Sequence, residues 1–466
     1  MIFKDFSVDS LHSLSAWHPR ERKWWMCTLF SGSCLLYASR NILPICSSYI
    51  AKELSWTRQD EGLVMGIFFW GYMLTQFAGG YFSDLYGGEI VIPLTTVIWG
   101  LITTLFVIMP LIVSQKDVIF HLFLLTRFLL GIFQGFFYPG LASLMAKRVQ
   151  MSERQFTYSF ITSGSHAGTL MCGFVGSFLS EAYSWGLPFL FIGSMAMFWA
   201  AFVFQHRIVY LDSQQSDSHS TLGNPNRLSF LLSSVKSDSV DTSAYAEALN
   251  GDLVKIRRSS PQISNRSLDW CLLLKQPAFW SMLLGNFVFN NTFYIILNWM
   301  PSYFHDNHPD AKSWIFNVVP WLIVVPCTLV SGFLADWMIT LGFSVTFIRK
   351  TISSVALLGT SVFLLILPLL EGFYASVLCM ALVLACCGFH NSGILLNPQD
   401  IAPMKGGQVF GVMSTVGTIP GFTGVYLTGY ILSKWHNWST VFHCAVFGNL
   451  IGWMIYIIFG SSKSIV

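Results

Sequence analysis

The sequence predicts an all-α membrane protein of about twelve spanning helices in two six-helix halves. Hydrophobic residues make up 53% of the 466 residues and charged residues only 11%, whereas a soluble domain carries about 25% charged residues. Apolar stretches of about 20 residues, long enough to cross a bilayer as a helix, recur along the chain. One long polar stretch near the middle separates six of them from the other six. The lipid bilayer is therefore the first partner that the sequence predicts.

Polar stretches divide the chain into four segments. Residues 1–23 form a tail that ends in basic residues, which we expect to be cytoplasmic because Lys and Arg accumulate on that side. Residues 24–208 form the N-terminal half, and residues 271–466 form the C-terminal half with a short tail. Between them, residues 209–270 are rich in Ser, Asp and Asn, which predicts a cytoplasmic, largely disordered linker. An even number of spans returns the C-terminus to the cytoplasm.

Each apolar stretch is expected to form one span. The expected spans lie at about residues 24–50, 61–82, 90–113, 118–146, 156–180 and 186–208, and again at 277–300, 314–338, 347–370, 373–396, 406–432 and 439–460. The basic residues Lys147, Arg148, Arg349 and Lys350 then fall in loops on the cytoplasmic side, as the positive-inside rule requires.

The two halves repeat a short pattern. Residues 80–84 (GYFSD) end the second span, and residues 332–336 (GFLAD) end the eighth. The same pattern at corresponding positions indicates a duplicated six-span unit. Gly80 and Gly332 would let helices approach closely, and Asp84 and Asp336 could pair across the interface, so these four residues are predicted to form a gate. The alternative for the two carboxylates is a solvated loop charge.

The fourth span contains a candidate anion site. An ionised residue such as Arg127 costs roughly 2.5–3.5 kcal/mol at mid-span, so a functional role is expected. On a helix, Arg127, Gly131, Gln134 and Tyr138 share one face, with Gly135 beside them. That face is predicted to form one wall of an anion-binding cavity. In the alternative interpretation, the glycines pack against a neighbouring helix and Arg127 pairs with a carboxylate.

Three motifs resemble those of a known family. Residues 80–88 (GYFSDLYGG) resemble the loop motif of the major facilitator superfamily. Residues 127–139, with Arg127 followed by two glycines and a proline at intervals of four, resemble the fourth-helix pattern of the sialin, vesicular glutamate and phosphate transporter family. Residues 397–403 (NPQDIAP) are similar to that family's signature after the tenth span. The resemblance implies a major facilitator fold, alternating access around a central site and a small anionic solute. As a polar residue of a span, Asn397 is a candidate for substrate contact; the alternative is a hydrogen bond across helices or to the backbone.

Further stretches are similar to the branch of this family that transports nucleotides: residues 34–46, 68–76, 152–159 and 310–321. Three departures bear on the substrate. Leu85 replaces the arginine of the loop motif, which weakens one charge pair of the gate. Gln134 and Phe289 are uncharged at positions where glutamate transporters carry a glutamate and an arginine, and this difference favours the nucleotide branch.

A second arginine is expected to share the site. Arg40 lies six residues before Cys46 and Arg127 nine after Val118, which places them roughly 9 and 14 Å from the same membrane face at about 1.5 Å per residue. The guanidinium fork matches phosphate oxygens in pairs and keeps its charge. Candidates for stacking on a base are Tyr37, Tyr72, Tyr138 and Phe293; their alternative role is ordinary packing.

Membrane potential is the predicted driving force. A nucleotide with about four negative charges would gain roughly 9 kcal/mol on entering a compartment held 100 mV positive. We therefore expect uniport of ATP, ADP or GTP into a secretory or lysosomal-type vesicle, a location that rests on the resemblance. The alternatives are another anion of the same family (sialate, an acidic amino acid or phosphate) and an anion channel. Because some relatives pass chloride, chloride is a candidate activator.

The sequence argues against several other classes of protein. It contains no nucleophile–base pair, metal cluster or Walker A sequence, so we expect neither an enzyme nor a bound cofactor or metal. A net charge of +3 is too small to indicate a nucleic-acid partner.

Overall fold

The computed structural model describes residues 17–149, 151–222, 270–402 and 406–465; at positions 77, 84, 146, 151–156, 207–222 and 406–407 only the backbone is described. The chain divides into a large unit, Met1–Val203 with Leu273–Val466, and a small one, Phe204–Leu272. The described part of the chain contains no β-strand. The cavity and all contacts discussed below belong to the large unit.

The described part of the N-terminal half contains seven helices. They are α1 (Pro19–Leu54), α2 (Arg58–Tyr86), α3 (Gly88–Ile112), α4 (Lys116–Gln134), α5 (Phe137–Arg148), α6 (Met151–Ala182) and α7 (Gly186–Leu222). Helices α4 and α5 together form the fourth span. Helix α7 continues past residue 208, the predicted end of the N-terminal half, and residues 223–269 lie outside the described part of the chain.

The C-terminal half is built in the same way but with more breaks. Its helices are α8 (Trp270–Leu274), α9 (Pro277–Asn307), α10 (Ser313–Thr340), α11 (Val345–Ser354), α12 (Thr360–Ile366), α13 (Phe373–Gly388), α14 (Asn397–Ile401), α15 (Gly406–Trp435) and α16 (Trp438–Phe459). A π-helical turn, Val355–Gly359, joins α11 to α12, and short 3₁₀ turns follow α12 and α13. The described residues thus hold twelve long helical segments, six in each half, which confirms the predicted fold class.

Among the described residues, seven segments are long and apolar enough to cross a membrane by length and composition alone: Gly88–Ile112, Lys116–Met145, Gly186–His206, Ser313–Thr340, Val345–Leu369, Phe373–Ile401 and Trp438–Phe459. The other five long helices are α1, α2, α6, α9 and α15. Helices α1, α6 and α9 contribute polar residues such as Arg40, His166 and Asn290 to the central cavity. Their lower hydropathy therefore follows from their position at the interface between the halves.

The sequence predicts the fourth span as one continuous helix, whereas the structure divides it into two helices. Helix α4 ends at Gln134, and residues 135–136 form a turn before α5 begins. Side chains of α2 bind the carbonyl groups around this turn: Thr75 donates to the Ile132 carbonyl at 2.9 Å and Gln76 to the Gly135 carbonyl at 3.3 Å. Such side-chain capture of helix carbonyls is a known cause of helix breaks.

Hydrogen bonds and an ion pair join the halves at the end of the molecule where α2 begins, which we call the Arg58 end. There Ser47 and Ser302 lie 3.3 Å apart (Oγ to Oγ), and Arg58 of α2 forms an ion pair with Asp306 of α9. Two more hydrogen bonds join α10 to α6 and one joins α2 to α15. Within the described residues, the hydrogen bonds between the halves all lie near this end. The opposite end, where α11 begins, is called the Arg349 end.

Candidate anion-binding site

A cavity of about 250 Å³ lies between the two halves. The N-terminal half lines it with side chains of α1 and α6, which we call the N-wall: Tyr37, Arg40, Ser165, His166 and Thr169. The C-terminal half contributes the larger C-wall, which includes Phe289, Asn290, Phe293, Trp321, His390 and Asn391. Among the lining residues, Arg40 is the one with a permanent positive charge.

Arg40 is held by aromatic rings and keeps free donors. Its side chain is only 6% exposed, and its guanidinium carbon lies 4.7, 4.8 and 4.7 Å from the ring centroids of Tyr37, Phe68 and Tyr72. These distances are within the range of cation–π attraction. The Nε and Nη2 atoms are buried and have no hydrogen-bond partner among the described residues. Ring faces thus stabilise the charge without using the N–H groups that could bind an anion.

Arg127 lies directly behind Arg40 and is not a lining residue. Its Nη2 atom donates to the Arg40 carbonyl at 3.0 Å, its guanidinium carbon is 4.9 Å from the Phe68 ring, and its buried Nε has no partner. Both arginines lie deeper than expected, because α1 continues to Leu54 and α4 begins at Lys116. They are roughly 21 and 16 Å from the Arg58 end at about 1.5 Å per residue.

Neither arginine pairs with a carboxylate in the described part of the chain. The ion pairs found there lie elsewhere: Arg58 with Glu61 and Asp306, Arg148 with Glu89, and Arg349 with Asp400. The alternative in which Arg127 balances a buried acid therefore finds no support among these residues. Two buried cations with unfilled donors are costly unless a negative charge joins them, which makes this pair a strong candidate for anion binding.

Glycines fix the position of Arg127. A Cβ on Gly131 would lie 2.1 Å from the Phe68 carbonyl oxygen, and one on Gly71 would lie 2.1 Å from the Phe128 carbonyl oxygen. Only glycine permits this close crossing of α2 and α4. Gly135 has the same role, since its Cβ would lie 2.1 Å from Thr75 Oγ1. The glycines therefore pack helices together, as the alternative interpretation of this face stated, and they leave no gap for a ligand.

Of the other predicted binding residues, two line the cavity and the rest lie outside its lining. Tyr37 and Phe293 line the cavity, and Tyr72 contacts Arg40 from behind. Tyr138 packs edge-on against Tyr37 at 6.4 Å between centroids, and its hydroxyl lies 3.2 Å from Ser33 Oγ. Gln134 is fully buried, donates to Ser39 Oγ at 3.3 Å and leaves its Oε1 without a partner.

Asn397 lies away from the cavity lining. Its amide nitrogen donates to the Tyr456 hydroxyl at 3.0 Å, and its oxygen accepts from Ser462 Oγ at 3.3 Å. The side chain is fully buried. In this position Asn397 ties α14 to α16 and to the C-terminal segment, because both of its polar atoms are occupied by the protein itself.

Comparison with known proteins identifies the family. The sequence pattern of the Major Facilitator Superfamily matches residues 28–425. The chain belongs to the major facilitator superfamily. It is 33% identical over 449 residues to the human "voltage-gated purine nucleotide uniporter SLC17A9", covering 96% of this chain and 94% of that protein. It is 28% identical over 460 residues to the chloroplastic ascorbate transporter of Arabidopsis thaliana, covering 98% and 78%.

Solved structures show the same fold. A bacterial homologue of the human lysosomal transporter Spinster, in an inward-facing and occupied conformation, has a TM-score of 0.69 at 13% identity and covers 94% of this chain and 96% of that one. The inward-open xylose transporter XylE from E. coli has a TM-score of 0.65 at 12% identity, with 93% and 96% covered. This major facilitator protein is thus an integral, multi-pass membrane transporter and not an enzyme.

The predicted gate residues of this major facilitator protein are not closely packed. A Cβ on Gly80 would meet nothing nearer than Pro139 at 3.9 Å, and one on Gly332 nothing nearer than Ser392 at 3.9 Å. The close helix approach expected at these two glycines occurs instead at Gly71 and Gly131. The Asp336 side chain is exposed, and the side chain of Asp84 lies outside the described residues.

Phe68 is a site residue that sequence reasoning missed. Its ring centroid lies 4.8 Å from the guanidinium carbon of Arg40 and 4.9 Å from that of Arg127, and the side chain is fully buried. A phenylalanine in an apolar span has no distinguishing mark, so only the packing of α1, α2 and α4 reveals its role. Trp321, whose ring meets Phe293 edge-on at 6.1 Å, was missed for the same reason.

Proposed function

We propose that the chain transports anionic nucleotides such as ATP, ADP and GTP across a vesicle membrane by alternating access, driven mainly by membrane potential. The observation that carries this proposal is the pair of buried arginines, Arg40 and Arg127, which have no carboxylate partner among the described residues. A polyphosphate supplies the missing negative charge, and its oxygens match the unfilled guanidinium donors. The name of the human relative, a purine nucleotide uniporter, points to the same substrate class.

The direction of access follows from the distribution of contacts and basic residues. Lys147, Arg148, Arg349 and Lys350 lie at the Arg349 end, which we therefore assign to the cytoplasm; both termini then lie on that side. The Arg58 end becomes luminal. Because the halves are joined by hydrogen bonds at the Arg58 end, the structure corresponds to a state closed toward the lumen.

Membrane potential is a sufficient driving force for such a substrate. Each charge that crosses 100 mV contributes roughly 2.3 kcal/mol, so four charges contribute about 9 kcal/mol. Gln134, buried behind the site, has no proton to exchange at the position where an acid would be expected for proton coupling. The site therefore fits a uniport mechanism, in which the charge of the nucleotide itself couples transport to the potential.

Uptake of labelled ATP into proteoliposomes with an inside-positive potential tests this function. Wild-type protein should accumulate ATP only with the potential present, and Arg40→Ala and Arg127→Ala should abolish uptake. Arg20→Ala is the matched control, since Arg20 is an exposed arginine on the same helix as Arg40. Full uptake with only a pH gradient left would refute the proposed driving force.

The same assay separates the alternative functions. Glutamate, sialate and phosphate are added as competitors, and uptake of one of them in place of ATP would overturn the nucleotide assignment. A saturable, slow flux indicates a transporter, whereas an ohmic anion current would indicate a channel. Replacing chloride by gluconate tests whether chloride activates uptake.

A further inference from the structure

The two walls of the cavity differ in charge. The N-wall carries Arg40, with Arg127 behind it, whereas the C-wall residues are aromatic, apolar or uncharged amides together with His390. A nucleotide has the same division: its phosphates are anionic, and its base is flat, uncharged and rich in hydrogen-bonding groups. The match in chemistry sets an orientation, with the phosphates toward the arginines and the base toward the C-wall.

Helix α9 presents one face to the cavity. Asn290, Phe293, Tyr294 and Leu297 lie at offsets of three, four and seven, so they share a helix face, and all four line the cavity. Phe293 is held between Phe289, which is stacked on it at 6.1 Å, and the edge of Trp321. An aromatic side chain fixed in this way offers a surface on which a base can stack.

Two amides on the C-wall have no partner within the described residues. Asn290 and Asn391 are half-buried and line the cavity, yet neither forms a hydrogen bond there. Asn286, one turn before Asn290, differs: it donates to the Met413 carbonyl at 3.1 Å, and its oxygen lies 3.1 Å from His390 Nε2. The protein thus satisfies the structural amide and leaves the two cavity amides unbonded.

The spacing of the two free amides is set by their neighbours. Phe289, adjacent to Asn290, stacks on His390, adjacent to Asn391, with 3.6 Å between centroids and an angle of 6° between planes. This contact brings α9 and the 3₁₀ turn after α13 together. Helix α15 also packs against Asn290. A Cβ on Gly417 would lie 2.5 Å from the Asn290 amide nitrogen, so only glycine at that position leaves room for the amide.

We propose that Asn290 and Asn391 read the hydrogen-bonding edge of the nucleobase while Phe293 stacks on its face, which makes the C-wall the specificity-determining half of the site. An asparagine amide offers a donor and an acceptor side by side, and this pattern pairs with the N6 and N7 groups of adenine. Because either end of the amide can face the base, guanine can be accepted as well. This inference rests on the proposed nucleotide transport.

The test compares ATP with inorganic triphosphate, which has the phosphates but no base. Triphosphate and ATP each compete with labelled ATP uptake in wild-type protein and in Asn290→Leu, Asn391→Leu and the double variant. Each leucine keeps the branching and the number of non-hydrogen atoms of the side chain but removes the hydrogen bonds. We expect the inhibition constant of ATP to rise by roughly tenfold per residue, while that of triphosphate stays unchanged.

Two controls make the outcome decisive. Asn307→Leu changes an exposed asparagine at the end of the same helix and should leave both constants unchanged. Phe68→Leu should weaken ATP and triphosphate together, because it acts on the arginines. If both Asn variants bind ATP and triphosphate in the wild-type ratio, base recognition by the C-wall is wrong although nucleotide transport stands. If wild-type protein takes up no nucleotide, the proposed function itself fails.

Discussion

Arg58 joins the two halves at one end of the protein, and its replacement by alanine is expected to open that end. Its Nη1 atom lies 2.9 and 3.2 Å from the two Glu61 oxygens, and its Nη2 atom bonds Asp306 across the interface. The Glu61 side chain is 1% exposed, whereas that of Asp306 is 33% exposed. The two carboxylates should therefore respond differently to the loss of Arg58.

The expected magnitude follows from this difference in burial. Leaving a buried carboxylate without its partner costs roughly 3–5 kcal/mol, whereas a solvent-screened pair such as Arg58 with Asp306 is worth about 0.2–1 kcal/mol. Opening the interface would hydrate Glu61 and relieve the larger cost. Since each 1.4 kcal/mol is about a factor of ten, Arg58→Ala should shift the equilibrium toward opening by roughly two to three powers of ten. Asp306→Asn should shift it by about fivefold or less.

Thiol labelling at this end measures the shift. Ser302 is fully buried and faces Ser47 of the other half, so Ser302→Cys should react slowly with a maleimide as long as this end is closed. Arg58→Ala should accelerate the reaction, measured by mass spectrometry at residue 302. Adding Glu61→Gln should slow it again, because no buried charge then remains. Equal labelling with and without Arg58, or no effect of the Glu61 change, would refute the reasoning.

Three further predictions test the packing and the site. Gly131→Ala should lower the unfolding temperature, because the cost of overpacking, about 1–3 kcal/mol, exceeds the gain of about 1 kcal/mol in helix propensity. The control is Gly448→Ala, where an added Cβ meets nothing within 4 Å; it should be neutral or stabilising in the same thermal assay. Arg40→Lys keeps the charge but loses the guanidinium fork, so ATP uptake should fall strongly, and wild-type uptake would contradict phosphate binding by Arg40. Asn397→Leu should lower the unfolding temperature, since it removes the hydrogen bond to the buried Tyr456 hydroxyl at a cost of about 1–3 kcal/mol. The KM for ATP should stay unchanged, and a raised KM would show that Asn397 contributes to substrate binding.

The sequence was sufficient for the architecture because hydropathy is a local property. A stretch of about 20 apolar residues can cross a bilayer as a helix with its backbone groups satisfied internally, so twelve stretches predicted twelve spans, although only seven segments of the described residues qualify by length and composition alone. The matching ends of the second and eighth spans indicated the duplication for the same reason, since both copies are read along the chain. The cost of burying Arg127 likewise marked it as a functional candidate without any tertiary information.

Other features of the structure depend on non-local packing. The fourth span breaks at residues 135–136 because Thr75 and Gln76 of another helix capture its carbonyl groups. Asn397 carries a motif that suggested substrate contact, yet Tyr456 and Ser462 occupy its polar atoms. Neither outcome can be derived from periodicity, because the partners lie on different helices.

The sequence alone therefore determined the number of spans, the two halves, the family and the two arginines. Only the tertiary structure decided that Arg127 donates to the Arg40 carbonyl, that both guanidinium groups lie over the Phe68 ring, and that the described residues offer them no carboxylate. The physical reason is that the residue type alone fixes the charge and the apolar character of a side chain. Which side chains it meets depends on how each helix is rotated and how closely glycines such as Gly131 let it approach its neighbours.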